Sequence, residues 1–111
     1  MNREVKQKWL NALRSGEYIQ GKSKLKDGNT FCCLGVLTDL YIKEHKNCYW
    51  KDDPFIDGEI EENNVLCAKV KKWAGLSGSN PIIKNKGMCI AQLNDEGYSF
   101  SKIADLIEAE L

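Results

Sequence analysis

Turn-forming residues recur along the whole chain and leave only short stretches for regular structure. They interrupt the apolar pattern at Ser15-Gly16, Asp27-Gly28, Asp53-Pro54, Gly75, residues 77–81 and Gly97. Glycine, proline and small polar residues favour turns because they tolerate or fix backbone angles that helices and strands do not use. We find no internal repeat and no linker long enough to separate domains. The sequence therefore predicts a single domain over residues 1–111, built from short elements.

Between these breaks, five segments carry apolar residues at helical spacing. They cover approximately residues 3–14, 33–44, 65–74, 88–95 and 100–111. Asn2 can cap the first helix, Asn63 or Asn64 the third, and Ser99 the last. Gly35 lies inside the second segment, where glycine disfavours a helix, so we expect a close backbone contact there.

Short extended segments separate these helices. They are Tyr18-Ile19, Lys24 to Lys26, Thr30 to Cys32, Cys48 to Trp50, Phe55-Ile56 and Ile82-Ile83. Asp27-Gly28 is typical of a hairpin turn, and Phe55-Ile56 can pair back on the preceding strand. The predicted fold class is α+β, with four to five short helices packed with a small antiparallel sheet or hairpins.

The formal net charge is zero, but the charges are grouped in blocks. Residues 1–26 contain seven Lys or Arg and two acids, whereas residues 39–62 contain eight acids and three lysines. The charged residues of segment 65–86 are five lysines with no acid. Segment 95–110 contains five acids and one lysine. The blocks can attract one another across the fold, or they can leave one basic and one acidic face. A strongly basic nucleic-acid binder would show a net positive charge, and this chain does not.

No stretch approaches the length of apolar sequence that a membrane span needs, and residues 1–9 are charged with no apolar stretch behind them. The five cysteines are odd in number and two are adjacent, which argues against a disulfide framework. We therefore expect a cytoplasmic protein with reduced thiols and no membrane partner.

Residues 16–23 match the phosphate-binding pattern G-x-x-x-x-G-K-[ST]. That loop needs an entering strand and a leaving helix, whereas here a helix precedes it and a strand follows, so we interpret the match as accidental. A basic stretch remains at Lys22, Lys24 and Lys26, whose side chains would point the same way on a strand. It could hold an anionic ligand or an acidic partner, or form a solvated edge that deters aggregation.

Residues 90–104 resemble the first two helices of a helix-turn-helix DNA reader, with Gly97 in the turn and Ser99 as the cap. The second of these helices carries Asp105, Glu108 and Glu110, which phosphate repels. We favour a helical hairpin that closes the core, without sequence-specific nucleic-acid binding. A DNA-associated regulator stays as an alternative.

Cys32, Cys33, His45 and Cys48 invite a zinc or thiol interpretation. Structural zinc sites usually show two C-x-x-C-type pairs, which are missing here, and adjacent cysteines on a strand point to opposite faces. Free cysteine is commonly buried, so we expect core packing, with no metal and no cofactor. A small cysteine- or metal-dependent enzyme stays as a further alternative.

Several stretches together resemble a widespread group of small proteins of tailed phages and prophages. In chain order these follow the patterns WLxALRSG from Trp9, Gln20-Gly21, FCCLGVL from Phe31, WAGL from Trp73 and LNDxGxSFxxIAD from Leu93, where x is any residue. The resemblance spans nearly the whole chain and implies a phage origin, but it brings no catalytic motif. Small accessory phage proteins commonly antagonise host functions, by blocking a protein or by sequestering a nucleotide signal.

The expected function is a non-enzymatic binding protein that neutralises a host target, either a defence protein or a small anionic signal. For a nucleotide ligand, the candidate residues are Lys22, Lys24 and Lys26 for phosphate, Tyr18 or Trp50 for stacking, and Gln20, Asn94 and Asp95 for base or ribose. Asn94 and Asp95 equally suit turn and cap positions. Trp9 and Trp73 lie on apolar helical faces, whereas Trp50 is expected to be half exposed. An exposed strand at Ile82-Ile83 could mediate a homo-oligomer.

Overall fold

Five helices and eight short strands follow one another along residues 1–111, all of which the computed structural model describes. The helices are α1 (Arg3–Arg14), α2 (Cys33–Glu44), α3 (Ala68–Ala74), α4 (Ile90–Asp95) and α5 (Phe100–Glu110). The predicted α+β class is confirmed, and no helix is long and apolar enough to cross a membrane.

The strands form three small sheets. The first contains β1 (Ile19–Gln20), β2 (Lys26–Asp27) and β3 (Thr30–Phe31) in the order β1-β3-β2. The second is a meander of β4 (Cys48–Trp50), β5 (Phe55–Asp57) and β6 (Ile60–Glu62), and the third pairs β7 (Ile82–Ile83) with β8 (Met88–Cys89). All strand pairs are antiparallel except β1 with β3, which is parallel.

Helices α1 and α5 form as their caps and apolar spacing predict. The Asn2 side chain accepts a hydrogen bond from the Val5 N–H, and the Ser99 hydroxyl accepts one from the Lys102 N–H. The apolar face of α1 is buried, with Trp9 fully inaccessible and its indole N–H donating to the Cys33 carbonyl at 2.9 Å. These contacts fix α1 against both α2 and α5.

Gly35 permits the closest backbone approach in the core, as expected from its place inside a helix. A Cβ atom there would lie 1.7 Å from the carbonyl oxygen of Leu25, which is fully buried. Only glycine therefore allows the segment before β2 to pack directly on α2. This contact positions the basic stretch that begins at Lys22.

Three local predictions are wrong. Helix α3 begins at Ala68 with Cys67 at its N-cap, not near Val65, and Asn64 instead donates to the Ser23 carbonyl. Strands β6 and β8 were not predicted, and Met88 lies in a strand instead of a helix. Strands β6 and β8 have only three and two residues, which is too short for a clear periodicity. The cap partners of α3 are set by tertiary contacts and not by the local sequence.

The predicted strand through Lys22, Lys24 and Lys26 is also wrong for its first two lysines. Only Lys26 lies in a strand, because the chain bends at Ser23, whose φ of 69° is in the left-handed region. The Lys24 N–H donates to the Lys22 carbonyl at 2.8 Å, which closes a tight turn. The alternation of a strand therefore does not set the direction of these side chains.

The charge blocks attract one another across the fold, which is the first of the two alternatives above. Arg14 pairs with Asp105 and Glu108 of α5, and Lys8 pairs with Glu44 at the end of α2. These side chains are partly to largely solvent-exposed, so water screens each pair and its contribution to stability is small. The N-terminal basic block is therefore partly neutralised within the protein.

Candidate functional site

Asn94 lies in the interior, where α2 and α4 approach β1, and all of its polar groups have partners. Its Oδ1 accepts from the Gln20 side-chain amide at 2.9 Å and from the Cys33 N–H at 3.2 Å. Its Nδ2 donates to the Gly21 carbonyl at 2.8 Å. Because Cys32 gives α2 no side-chain cap, Asn94 satisfies the first N–H of that helix from 61 residues away.

Gln20 extends these bonds to the last helix. Its side-chain amide also donates to the Tyr98 carbonyl at 2.8 Å, and its Oε1 accepts from the Phe100 N–H at 3.2 Å. We refer to the side chains of Gln20 and Asn94, with the backbone groups they bond, as the Asn94 network. Both side chains were candidates for base or ribose recognition, but their polar groups are already bonded within the protein. We therefore leave them out of the binding surface proposed below.

Asp95, the third candidate for base or ribose, is exposed and bonds the bend at Ser23. Its Oδ1 accepts from the Ser23 N–H at 2.9 Å. Ser23 is the last residue of the phosphate-loop pattern, so a carboxylate of the same chain occupies a donor that a phosphate would need. The missing helix after the bend agrees with our interpretation of the pattern as accidental.

Tyr18 and Trp50, the two stacking candidates, meet on the carboxylate of Asp39 in α2. The Tyr18 hydroxyl donates to Asp39 Oδ2 at 2.5 Å, and the Trp50 indole N–H donates to Oδ1 at 3.0 Å. Phe31 lies between the two rings in edge-to-face contact with both. The Asp39 side chain is only 16% exposed, so these bonds satisfy a charge that is costly to bury.

Lys43 completes this cluster, one turn after Asp39. Its Nζ lies 3.4 Å from Asp39 Oδ2 and donates to the Tyr18 hydroxyl at 3.2 Å. Burial, followed by the hydrogen bond to Asp39, raises the pKa of Tyr18 to about 12. The hydroxyl therefore stays protonated near neutral pH. Trp50 is half-buried, as predicted, but its edge is held by Asp39.

The three candidate lysines differ from one another. The side chains of Lys22 and Lys24 are exposed and have no hydrogen-bonded or ion-paired partner, whereas the Lys26 side chain donates to the Asp52 carbonyl at 2.9 Å. No cavity of the protein is lined by any of these lysines. Their surface is a convex bend instead of a pocket.

The cysteine and histidine candidates lie at opposite ends of α2. Cys32 and Cys33 are buried at its start, and His45 follows its end, so the 12-residue helix separates them by about 18 Å. Burial raises the pKa of the Cys32 thiol, and that of Cys33 well above its ordinary value. Near neutral pH both are thiols, whereas nucleophilic catalysis needs a thiolate. No three His, Cys, Asp or Glu side chains are placed to hold a metal ion.

His45 and Cys48 do lie together, on an open cavity of about 450 Å³ with Asp57 and Lys69. The Cys48 thiol donates to the His45 backbone carbonyl, not to the ring, and burial raises its pKa. His45 Nδ1 lies 2.7 Å from the Tyr41 carbonyl, which can only accept, so Nδ1 carries a proton. The arrangement therefore lacks a thiol activated by the imidazole.

The meander of β4, β5 and β6 carries a strong excess of negative charge. We call residues 48–62 the acidic sheet; they contain six carboxylates and one lysine, a net charge of −5. Among the carboxylates only Asp57 forms an ion pair, with Lys69. On the outer face, Tyr49 is opposite Ile56, which is opposite Glu61. Tyr49 is 53% exposed.

The whole chain, residues 1–111, matches the family described as a domain of unknown function (DUF8296). The chain belongs to this family. No curated protein and no solved structure matches it.

In this DUF8296 chain, the residues that sequence reasoning missed are Asp39, Lys43, Tyr49 and Glu61. Asp39 and Lys43 are four residues apart on a predicted helix, a spacing that signals an ion pair. The acidic block containing Glu61 was recognised, but β6 was not, so its pairing with the strand after Trp50 could not be inferred. A count of unpaired charges needs the folded structure.

Proposed function

We propose that this chain is a small non-catalytic binding protein that engages a basic protein partner through the acidic sheet. The observation that carries the proposal is the excess of carboxylates without ion pairs on that sheet, next to an exposed aromatic side chain. A surface of one charge sign accelerates encounter with an oppositely charged partner and fixes its orientation.

The charge argument favours the acidic sheet over the basic N-terminal block. In residues 1–26, Lys8 and Arg14 form ion pairs and Lys6 and Lys26 bond backbone carbonyls. In the acidic sheet, five of six carboxylates form no ion pair. Lys26 lies next to the sheet, where its ammonium group donates to the Asp52 backbone carbonyl. Over the whole chain the charges without an ion pair nearly balance, but five carboxylates and one lysine of them lie together in residues 48–62.

The apolar residues of the acidic sheet supply contact area. Tyr49 lies on β4, an edge strand whose only neighbour is β5. Exposed tyrosines are common energetic centres of interfaces, and an edge strand offers free backbone groups to an added strand. Ile60, on the opposite edge strand, is 38% exposed. A partner segment that carries lysine or arginine and lies along β4 would contact both the Tyr49 side chain and the free backbone groups of the edge strand.

The resemblance of the sequence to small phage proteins supports a host protein as this partner. We propose a counter-defence role, in which occupation of the basic surface blocks the host protein's activity. The support is an analogy of context.

The test is an affinity purification from host cells with a charge-reversed variant. The double substitution Glu59→Lys with Glu61→Lys should abolish the capture of a host protein that the wild type retains. Tyr49→Ala should weaken the capture of the same protein. The matched control is Glu17→Lys with Glu96→Lys, two exposed acids without ion pairs outside the sheet. The proposal is supported if the control variant retains the host protein and the sheet variants lose it. Equal loss in both double variants, or retention in both, contradicts it.

A second candidate function is the sequestration of a small anionic ligand at the bend of Lys22 and Lys24. The observation in its favour is that both lysines are exposed and unpaired, on either side of a residue in the left-handed region. Non-glycine residues in this region cluster at functional sites. The occupied Ser23 N–H and the absence of a cavity count against it.

Native and denaturing mass measurements on protein purified gently from an expressing host test this second function. A nucleotide ligand would appear as extra mass that is lost on denaturation. Replacing Lys22, Lys24 and Lys26 together by alanine should remove it, whereas the control triple Arg3→Ala, Lys46→Ala and Lys72→Ala should keep it. Equal retention by both triple variants would exclude the bend as the site.

A further inference from the structure

A third region, distant in sequence from the acidic sheet, has the largest cavity of the protein. It has a volume of about 500 Å³ and lies between the loop after α3, the start of β7 and the end of α5. This volume is within the range of small-molecule sites, about 300–1,000 Å³. Its apolar lining residues include Leu76, Pro81 and Ile82, of which Ile82 is 63% exposed.

Glu110 contributes a carboxylate with one oxygen that has no partner. Its Oε1 accepts weakly from the Asn85 N–H at 3.4 Å, whereas Oε2 is buried without any hydrogen bond. This is the only buried side-chain oxygen or nitrogen in the protein without a partner. Such an atom has lost its hydration without a protein donor in return, and Glu110 forms no ion pair, so the charge of this carboxylate is left uncompensated beside the cavity.

Lys84 lines the same cavity and is also without a partner. It is exposed and forms no ion pair, although Glu110 shares the cavity with it. Two opposite charges that do not neutralise each other fit a ligand that carries both signs. Asn80 uses its Oδ1 on the Ala91 N–H, so its side-chain amide remains a free donor at the cavity.

We propose that this cavity binds a small zwitterion of the amino-acid class with an aliphatic side chain. The ligand's ammonium group faces the Glu110 carboxylate, its carboxylate faces Lys84 and Asn80, and its side chain lies on Leu76, Pro81 and Ile82. This inference does not depend on the acidic sheet, and either can fail without the other.

The test is a titration of the isotope-labelled protein, followed through its backbone amide resonances, with three matched probes. These are L-leucine, 3-methylbutylamine, which lacks the carboxylate, and 4-methylpentanoate, which lacks the ammonium. Leucine should shift, with saturation, the amide resonances of Glu110 and of residues 76–84 other than Pro81, which has no N–H. The other two probes should bind about tenfold more weakly or worse. Equal shifts with all three probes, or no saturation with leucine, would overturn the proposal without recourse to any variant.

Two substitutions assign the charges. Glu110→Gln should weaken leucine about tenfold and leave 4-methylpentanoate unaffected, and Lys84→Gln should weaken leucine but not 3-methylbutylamine. The controls Glu108→Gln and Lys102→Gln alter charges outside the cavity and should leave leucine binding unchanged. If the controls weaken binding as much as the cavity variants, the effect is general charge and the assignment is wrong.

Discussion

The Asn94 network and the acidic sheet are two polar regions in opposite situations. In the network, an asparagine that is only 1% exposed bonds two other segments of the chain, at Gln20-Gly21 and at Cys33. In the acidic sheet, carboxylates such as Glu59 and Glu61 are exposed and have no partner. A buried polar group must be satisfied within the protein, whereas an exposed charge is satisfied by water and costs little to leave unpaired.

This difference separates polar residues that specify the fold from those that are free to bind. The network joins β1, α2, α4 and α5, so its groups contribute to stability and have no capacity left for a ligand. The acidic sheet contributes little to stability through its charges, and its groups remain free. The cluster of Tyr18, Asp39, Lys43 and Trp50 is intermediate between the two regions, since the Asp39 carboxylate is mostly buried but lies near the surface.

The largest effect is expected for Asn94→Ala. The substitution leaves the Cys33 N–H and the Gly21 carbonyl without partners in the interior, which should reduce the free energy of unfolding by about 3 kcal/mol. Urea unfolding followed by circular dichroism measures the change. The control Asn11→Ala, on the exposed face of α1, should cost below about 0.5 kcal/mol. Similar losses for both asparagines would remove the distinction between the two regions.

An intermediate effect is expected for Asp39→Asn. It removes the charge that holds the Tyr18 proton, so the pKa of Tyr18 should fall from about 12 towards 10, with burial keeping part of the shift. A spectrophotometric titration of tyrosine ionisation measures this, with the exposed Asp27→Asn as the control. An unchanged Tyr18 pKa would show that burial alone raises it. The free energy of unfolding should fall by about 1 kcal/mol.

The same pKa gives a pH dependence with a definite sign. The folded-state pKa of Tyr18 is raised above its unfolded value, so the associated stability is fully present below about pH 10. Between about pH 10 and pH 12 the unfolded chain loses this proton while the folded protein keeps it, and stability falls. In Asp39→Asn this Tyr18-dependent fall should be smaller. The comparison of unfolding curves across this range measures it.

The smallest effect on stability is expected for Glu59→Lys with Glu61→Lys. Both residues are exposed and unpaired, so the free energy of unfolding should change by no more than about 0.5 kcal/mol. Thermal unfolding at low and high salt checks this. A large loss of unfolding free energy would mean that these carboxylates stabilise the sheet. The acidic sheet would then contribute to stability as the Asn94 network does.

The sequence predicted the longer elements well and the polar contacts poorly. Helices α1, α2 and α5 follow from apolar spacing, and Asn2 and Ser99 act as the caps that their positions suggest. The role of Asp39 did not follow, although its i,i+4 partner Lys43 was visible. Its bond to Tyr18 joins residues 21 positions apart, and no local pattern encodes such a separation.

The candidate site shows the same limit. Tyr18 and Trp50 were singled out as stacking candidates, but the carboxylate that bonds both was not identified. Gln20 and Asn94 were assigned together as ligand contacts, and the structure brings them together as partners of each other. A polar side chain in a sequence has the same chemistry whether it will meet a ligand or a neighbouring segment.

By itself the sequence determined the α+β class, the caps and turns, the approach at Gly35 and the buried faces of its longer helices, because these depend on interactions between residues close along the chain. Only the tertiary structure decided which charges are neutralised, which polar groups are consumed in the Asn94 network and which are left free at the acidic sheet and Glu110. Those outcomes depend on contacts between segments as many as 102 residues apart. The physical reason is that burial, which makes an unpaired polar group costly, is a property of the folded chain and not of any residue within it.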